Sequence, residues 1–193
     1  MRSAMSKVAL VSAVVGVLVA GHAPAAAESE PDTTAGAAQL APSQGVFLNP
    51  IGLLVGVIGA EYSFAVSDSA TIALAPGFVY FDASAGGTTA RVSGGELMAG
   101  MQFFPGGGIF RGLYVYPHLT GGYVSIEENA STVSAVLLGA GAIAGYQWTW
   151  DGGFSLRLGG GAGYMHAAVT DGDSTVDVAG VGPRIEGMLG YAW

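Results

Sequence analysis

Beyond Gly45, apolar residues alternate with small or polar ones along most of the chain. Ile72, Leu74, Phe78 and Tyr80 share one parity, and Thr71, Ala73, Ala75 and Gly77 share the other. Leu97, Ala99, Met101 and Phe103 oppose Glu96, Gly100 and Gln102. Leu113, Val115 and Leu119 oppose Tyr114, Tyr116, His118 and Thr120. Val136, Leu138, Ala140, Ala142, Ala144, Tyr146 and Trp148 oppose Gly139, Gly141, Gly145 and Gln147. Phe154, Leu156, Leu158, Ala162 and Tyr164 oppose Arg157, Gly159, Gly161 and Gly163. At the end, Ile185, Leu189, Tyr191 and Trp193 oppose Arg184, Glu186, Met188, Gly190 and Ala192. A period of two is the signature of β-strands with two unlike faces. Only near Val176 and Val178 does the pattern break, because those valines take the parity of the polar face; a β-bulge is expected there.

Two kinds of segment separate the strands. Ser67-Asp68-Ser69, Pro105–Arg111 and Asp151-Gly152-Gly153 are short and flanked by Phe or Trp. Residues 83–88, 127–132 and 170–175 are polar and rich in Gly, Ser and acids, as expected of loops at the opposite end. Six strands follow Ser69, and the strand over 57–66 precedes them. An even number then requires Gly45–Val55 to be a short first strand, with a reversal near Val55-Gly56-Val57 that carries no strong turn signal.

Composition decides what the two faces meet. Half of the chain is apolar and only a tenth is charged, against about a quarter charged in ordinary soluble domains. No mature segment is long enough to cross a bilayer as a helix, which needs roughly 20 apolar residues, and 33 glycines interrupt the apolar runs. In hydrocarbon only helices and closed barrels satisfy every backbone group. The expected fold is therefore all-β: a transmembrane antiparallel up-and-down β-barrel of eight strands over residues 45–193. A Gly-rich periplasmic β-sandwich is the rival, and its surface would be short of charge.

The first 27 residues read as a secretory signal peptide. Arg2 and Lys7 precede the apolar run Val8–Ala20, and Ala23-Pro24-Ala25-Ala26-Ala27 supplies a small-residue cleavage site. Export through the inner membrane by the Sec route, in a Gram-negative-type cell, is what this implies. Residues 28–44, rich in Ala, Pro, Ser and Thr, read as a disordered periplasmic lead. Removing 27 of the 193 residues leaves 166, with four Arg, no Lys and all 14 carboxylates, a formal charge of −10. Nucleic acid is excluded as a partner by that balance. With no Cys, disulfides, thiolate metal sites and N-terminal lipidation are excluded too.

Two stretches carry a family resemblance. They are Leu48-Asn49-Pro50-Ile51-Gly52-Leu53-Leu54 with Glu61-Tyr62, and Phe103-Phe104-Pro105 with Arg111-Gly112-Leu113-Tyr114-Val115. They look like a family of small outer-membrane proteins, and the chain from 45 to 193 resembles the eight-stranded barrels of the OmpA/OmpX/OmpW-like superfamily. The alternating end on Trp193 also resembles the assembly signal of such barrels, which usually finish on Phe. The resemblance implies residence in the bacterial outer membrane, contact with its lipids and lipopolysaccharide, and recognition of Ile185, Leu189, Tyr191 and Trp193 by the barrel-assembly machinery. It leaves activity open, since such barrels include pores, surface proteins and lipid-modifying enzymes.

Candidate chemistry lies on the inward parity. Glu61, Glu96, Arg157, Arg184 and Glu186 all fall there at similar depth, with His118 nearby. A lone charge would be costly in that place, so an Arg/Glu network that plugs the lumen is expected. The alternatives are a narrow cation-preferring pore, with the inward glycines leaving room for water, and a lipid A-modifying enzyme. For the latter the chain offers His118, next to Thr120 but no Ser, and His166 on the lipid face. No catalytic residue, cofactor or metal is assigned. The spaced acids Asp171, Asp173 and Asp177 lack the Glu that would complete a calcium loop, and Gly106-Gly107-Gly108 lacks the Lys of a phosphate loop. The sequence does not set an oligomeric state.

Overall fold

The alternating segments form eight strands in a computed structural model that describes residues 42–53, 56–85, 88–106, 108–128, 131–172 and 174–193. In chain order they are β1 (Gln44–Leu48), β2 (Val57–Ser67), β3 (Ala70–Ala85), β4 (Thr88–Phe103), β5 (Gly112–Glu128), β6 (Ser131–Thr149), β7 (Phe154–Asp171) and β8 (Ser174–Ala192). Each pairs antiparallel with its neighbours in sequence, and β1 closes the ring against β8. The expected signal peptide and residues 28–41 of the expected lead lie outside the described residues.

Register fixes the geometry of the ring. Starting at Tyr191, one row of paired residues runs through Val46, Tyr62, Leu74, Ala99, Leu119, Ala140 and Tyr164 and returns to β8 at Val181, ten residues from its start. An eight-stranded ring with that stagger tilts its strands by about 40° and leaves an interior that side chains just fill. The expected parities hold throughout. Leu74, Phe78, Leu97, Leu113, Leu119, Leu138, Phe154, Tyr164, Val181 and Leu189 are exposed outside, while Thr71, Gln102, Tyr114, His118, Gln147, Arg157 and Glu186 are buried inside.

Four expectations are corrected. The first strand does not run to Val55: it stops at Leu48, and Pro50–Leu53 form a single helical turn, α1. Pro favours the first position of that turn, and Asn49 Oδ1 accepts from Gly52 N at 2.9 Å, as an N-cap does. Gly56 then carries the chain back at φ 77°, a conformation that glycine adopts freely. Second, there is no bulge at Val176–Val178, because the β7–β8 register is unbroken from Asp171↔Ser174 to Phe154↔Tyr191. Val178 packs into an interior apolar cluster of Val79, Val92, Val124, Ile126, Val133, Leu137, Met165 and Val169. An inward valine fits there because that half of the lumen is a packed core. The one shift among the described pairs lies between Ala65 and Ser67.

Third, the polar segments at the far end are mostly strand. β3 and β4 stay paired to Ala85↔Thr88, and β5 and β6 to Glu128↔Ser131. Backbone pairing suits polar residues at a rim as well as apolar ones in a wall. Fourth, Gln44 belongs to β1 rather than to the lead, and Ser43 N and Gln44 N both donate to Trp193 O, at 2.7 and 3.0 Å.

Those bonds make the last residue a closing element. Trp193 N also donates to Gln44 O at 2.9 Å, so the chain end holds the short β1 against β8. Deleting Trp193 is therefore expected to abolish most folded barrel, and Trp193→Asp to reduce it strongly, since it removes the ring that stacks on Tyr191 and sets a charge on the apolar outer face. The yield of folded protein after refolding measures this; normal yield from both variants would refute it.

Candidate functional site: a buried charge cluster in the lumen

Arg157 stands on β7, inward and fully buried, where bare charge is most costly. Its guanidinium meets Glu61 of β2 in a two-pronged pair, Nη1 to Oε1 at 2.8 Å and Nη2 to Oε2 at 2.7 Å. Planar Arg suits that geometry and Lys does not. Nε lies 2.6 Å from Glu186 Oε1 on β8. The ring of Phe47 on β1 sits 5.0 Å from the guanidinium carbon and that of Tyr114 on β5 sits 5.6 Å away, so the cation is also held between aromatic faces.

The carboxylates have further partners. Ser63 Oγ donates to Glu61 Oε1 at 2.6 Å and Gln102 Nε2 donates to the same oxygen at 2.9 Å. Thr71 Oγ1 donates to Gln102 Oε1 at 3.0 Å. Tyr114 Oη donates to Glu186 Oε1 at 2.8 Å. The cluster thus links β1, β2, β3, β4, β5, β7 and β8 across the lumen. β6 takes part by lacking a side chain: Tyr114, Gly145, Gly159 and Glu186 are successive partners along one row. Tyr114 lies over the two glycines to reach Glu186, and a Cβ on Gly145 would stand 2.7 Å from its hydroxyl.

Of the six residues expected in the layer, Glu61, Arg157 and Glu186 come into direct contact. Glu96 and Arg184 form a second pair of opposite charges, close enough to act on each other electrostatically but without a hydrogen bond described between them. Arg184 Nε rests near Gly163 and has no hydrogen-bond partner. His118 stacks on Tyr116, their centroids 5.2 Å apart, and its Nδ1 faces Tyr116 O at 3.2 Å. It does not touch the Arg157 cluster's acids in any described contact. Tyr116 Oη, His118 Nε2, Thr120 Oγ1 and the Gln147 amide are buried without a hydrogen-bond partner among the described residues. Sequence reasoning missed Ser63, Thr71, Gln102 and Tyr114 as members. All share the inward parity, and the glycines opposite Tyr114 were the available signal.

The polar layer lies between two apolar ones. Toward the chain termini, Phe47, Phe110, Met188 and Ala192 pack with Ile109, and Phe104 lies beside Phe110. Phe110 is buried at φ 60°, a backbone state rarely taken by a bulky residue, and the Thr149 hydroxyl donates to its carbonyl. Toward the far end stands the valine-rich cluster. His166, on the outer face, lies 3.4 Å from Asp177 and is half-exposed. Among the described residues no group of acids and histidines has the arrangement of a metal site.

Comparison with known proteins adds no relative: no family model, no curated protein and no solved structure matches this chain.

Proposed function

We propose that this protein is an integral outer-membrane barrel with a structural or surface role, non-catalytic, whose lumen is held shut by the Arg157–Glu61–Glu186 cluster. The observation that carries this reading is the inverted distribution of side chains. A belt of large apolar residues covers the outside, while Arg, Glu, Gln and Ser are buried within. Soluble monomers rarely expose a continuous apolar patch beyond a few hundred Å², and a bilayer is the solvent that such a belt suits. The leader-like pattern of residues 1–27 and the alternating aromatic residues Tyr191 and Trp193 of the closing strand support the same placement, with membrane lipids and lipopolysaccharide around the wall.

The plug is favoured over a cation-preferring pore because the charges are shut in by aromatic packing below and valine packing above. A buried His118 that bonds its own neighbouring backbone favours a structural role over lipid A chemistry. Three measurements test the proposal. The mature chain should fractionate with the outer membrane and change its gel mobility on heating, as folded barrels do; soluble recovery with no heat shift would reject the membrane reading. Planar bilayers should record no steady conductance, and the lipid A mass spectrum should be unchanged when the gene is removed.

A further inference from the structure

β8 continues far beyond the strand that closes the ring. β1 pairs with it only from Leu48↔Leu189 to Gly45↔Ala192. On the other side, β2 starts at Val57, and the last bond that β3 makes in that direction among the described residues is Tyr80 N to Gly56 O, at 2.9 Å. Between Ser174–Met188 of β8 and Phe81–Ala85 of β3, no backbone pairing among the described residues joins the wall. The bond from Trp193 N to Gln44 O fixes the alternation, so residues 187, 185, 183, 181 and 179 aim their backbone groups at this gap. Pro183 has no N–H to leave unpaired, which is how proline is tolerated at a sheet edge.

The gap has a floor, an inside and an outside. At its floor, Ile51 of α1 covers Gly187 so closely that a Cβ there would collide with it. Higher up, Gly180 shares the inward parity of Glu186, yet a Cβ on it would meet nothing within 4 Å. The interior beside the gap is apolar, with Val57, Phe81 and Val178 packed on the valine cluster. Outside, Leu53, Ile58, Phe78, Tyr80 and Val181 are exposed around it. The outward side chains of β8 turn polar only at Asp177 and Thr175.

We propose that this seam admits the acyl chains of one bilayer phospholipid, lying beside β8 at Gly180 and against the edge of the valine cluster; this rests on the outer-membrane reading. With β1 and β2 both ended, β8 and β3 are three strand spacings apart, about 14 Å at ~4.7 Å each, and acyl chains about as wide as one spacing can lie side by side where the two strands are missing. Their polar linkage would lie near Asp177 and Thr175. Other occupants fit less well. Ser43, near the first described residue, is bonded to Trp193 at the opposite end, and residues 28–41 carry Glu28, Glu30 and Asp32. A second copy related by a two-fold axis along the membrane normal would present an edge tilted the opposite way. Two edges at about 40° each cross at about 80° and cannot form a ladder. Water has apolar walls on both sides.

The chain has no Cys, so single-cysteine variants of the full mature protein can be labelled without background. Gly180→Cys and Val181→Cys, each carrying a small fluorophore, are reconstituted in phosphatidylcholine vesicles with plain or brominated chains. Lumen-facing Gly180→Cys is expected to lose fluorescence to brominated chains about as strongly as outward Val181→Cys, and to resist aqueous iodide. Quenching at Val181→Cys alone, or iodide quenching at Gly180→Cys, overturns the seam while leaving the membrane reading intact. No bromine quenching at either site overturns both.

Discussion

Arg157→Ala is expected to destabilise the barrel by about 3–5 kcal/mol, because it strands two buried carboxylates at once. Glu61 would lose both prongs of its pair, and Glu186 the only cation that touches it among the described residues. Packing is lost as well, since the guanidinium fills the space between Phe47 and Tyr114. Arg184→Ala should cost distinctly less: that side chain is only partly buried and has no described hydrogen bond to Glu96. Neutralising the acids together with the cation, as Arg157→Met with Glu61→Gln and Glu186→Gln, should recover a measurable part of the loss, as coupled sites do. Urea unfolding in detergent or vesicles measures all of these. Arg157→Ala within about 0.5 kcal/mol of the parent, the range of ordinary surface changes, would mean that water reaches the cation and that the lumen is open.

That contrast between two arginines marks how far the sequence could be read. Parity alone put Arg157 and Arg184 on the same face, and it was right for both. Which acid each one meets depends on stagger around the ring, and stagger is a property of all eight strands together. Glu61 and Arg157 lie 96 residues apart, and Glu61 meets Arg157 only because the register of every intervening hairpin adds up. The strand count and the inward and outward faces were legible because they follow from a local period of two. The short β1 was not, since a strand that stops early and one that runs on share the same apolar residues from Val46 to Val55. The bulge expected at Val176–Val178 failed for a different reason. It assumed that an inward face must be polar, whereas a lumen of this width is filled by side chains and can be as apolar as any core.

Gly159→Ala is expected to cost more than a methyl group usually does. A Cβ there would lie well inside contact distance of the Tyr114 hydroxyl and 2.8 Å from Ile143 Cγ2. Overpacking of this kind costs about 1–3 kcal/mol. Tyr114 cannot move aside without giving up its bond to Glu186, and a lost hydrogen bond to a charged group is worth about 1.5–3 kcal/mol more. Gly145→Ala faces the same hydroxyl, and its Cβ would also stand 2.6 Å from Gly159 Cα, so the backbone itself would have to part. The row offers its own control. Tyr114→Phe removes the oxygen that the new methyl strikes, so Gly159→Ala should cost less in a Tyr114→Phe background than in the parent. The same background should help Gly145→Ala less, because the collision with Gly159 Cα remains. Unfolding midpoints of the four combinations decide it. Equal penalties for Gly159→Ala in both backgrounds would mean that Tyr114 does not lie across the glycines, and that the tie from β5 to Glu186 is not formed.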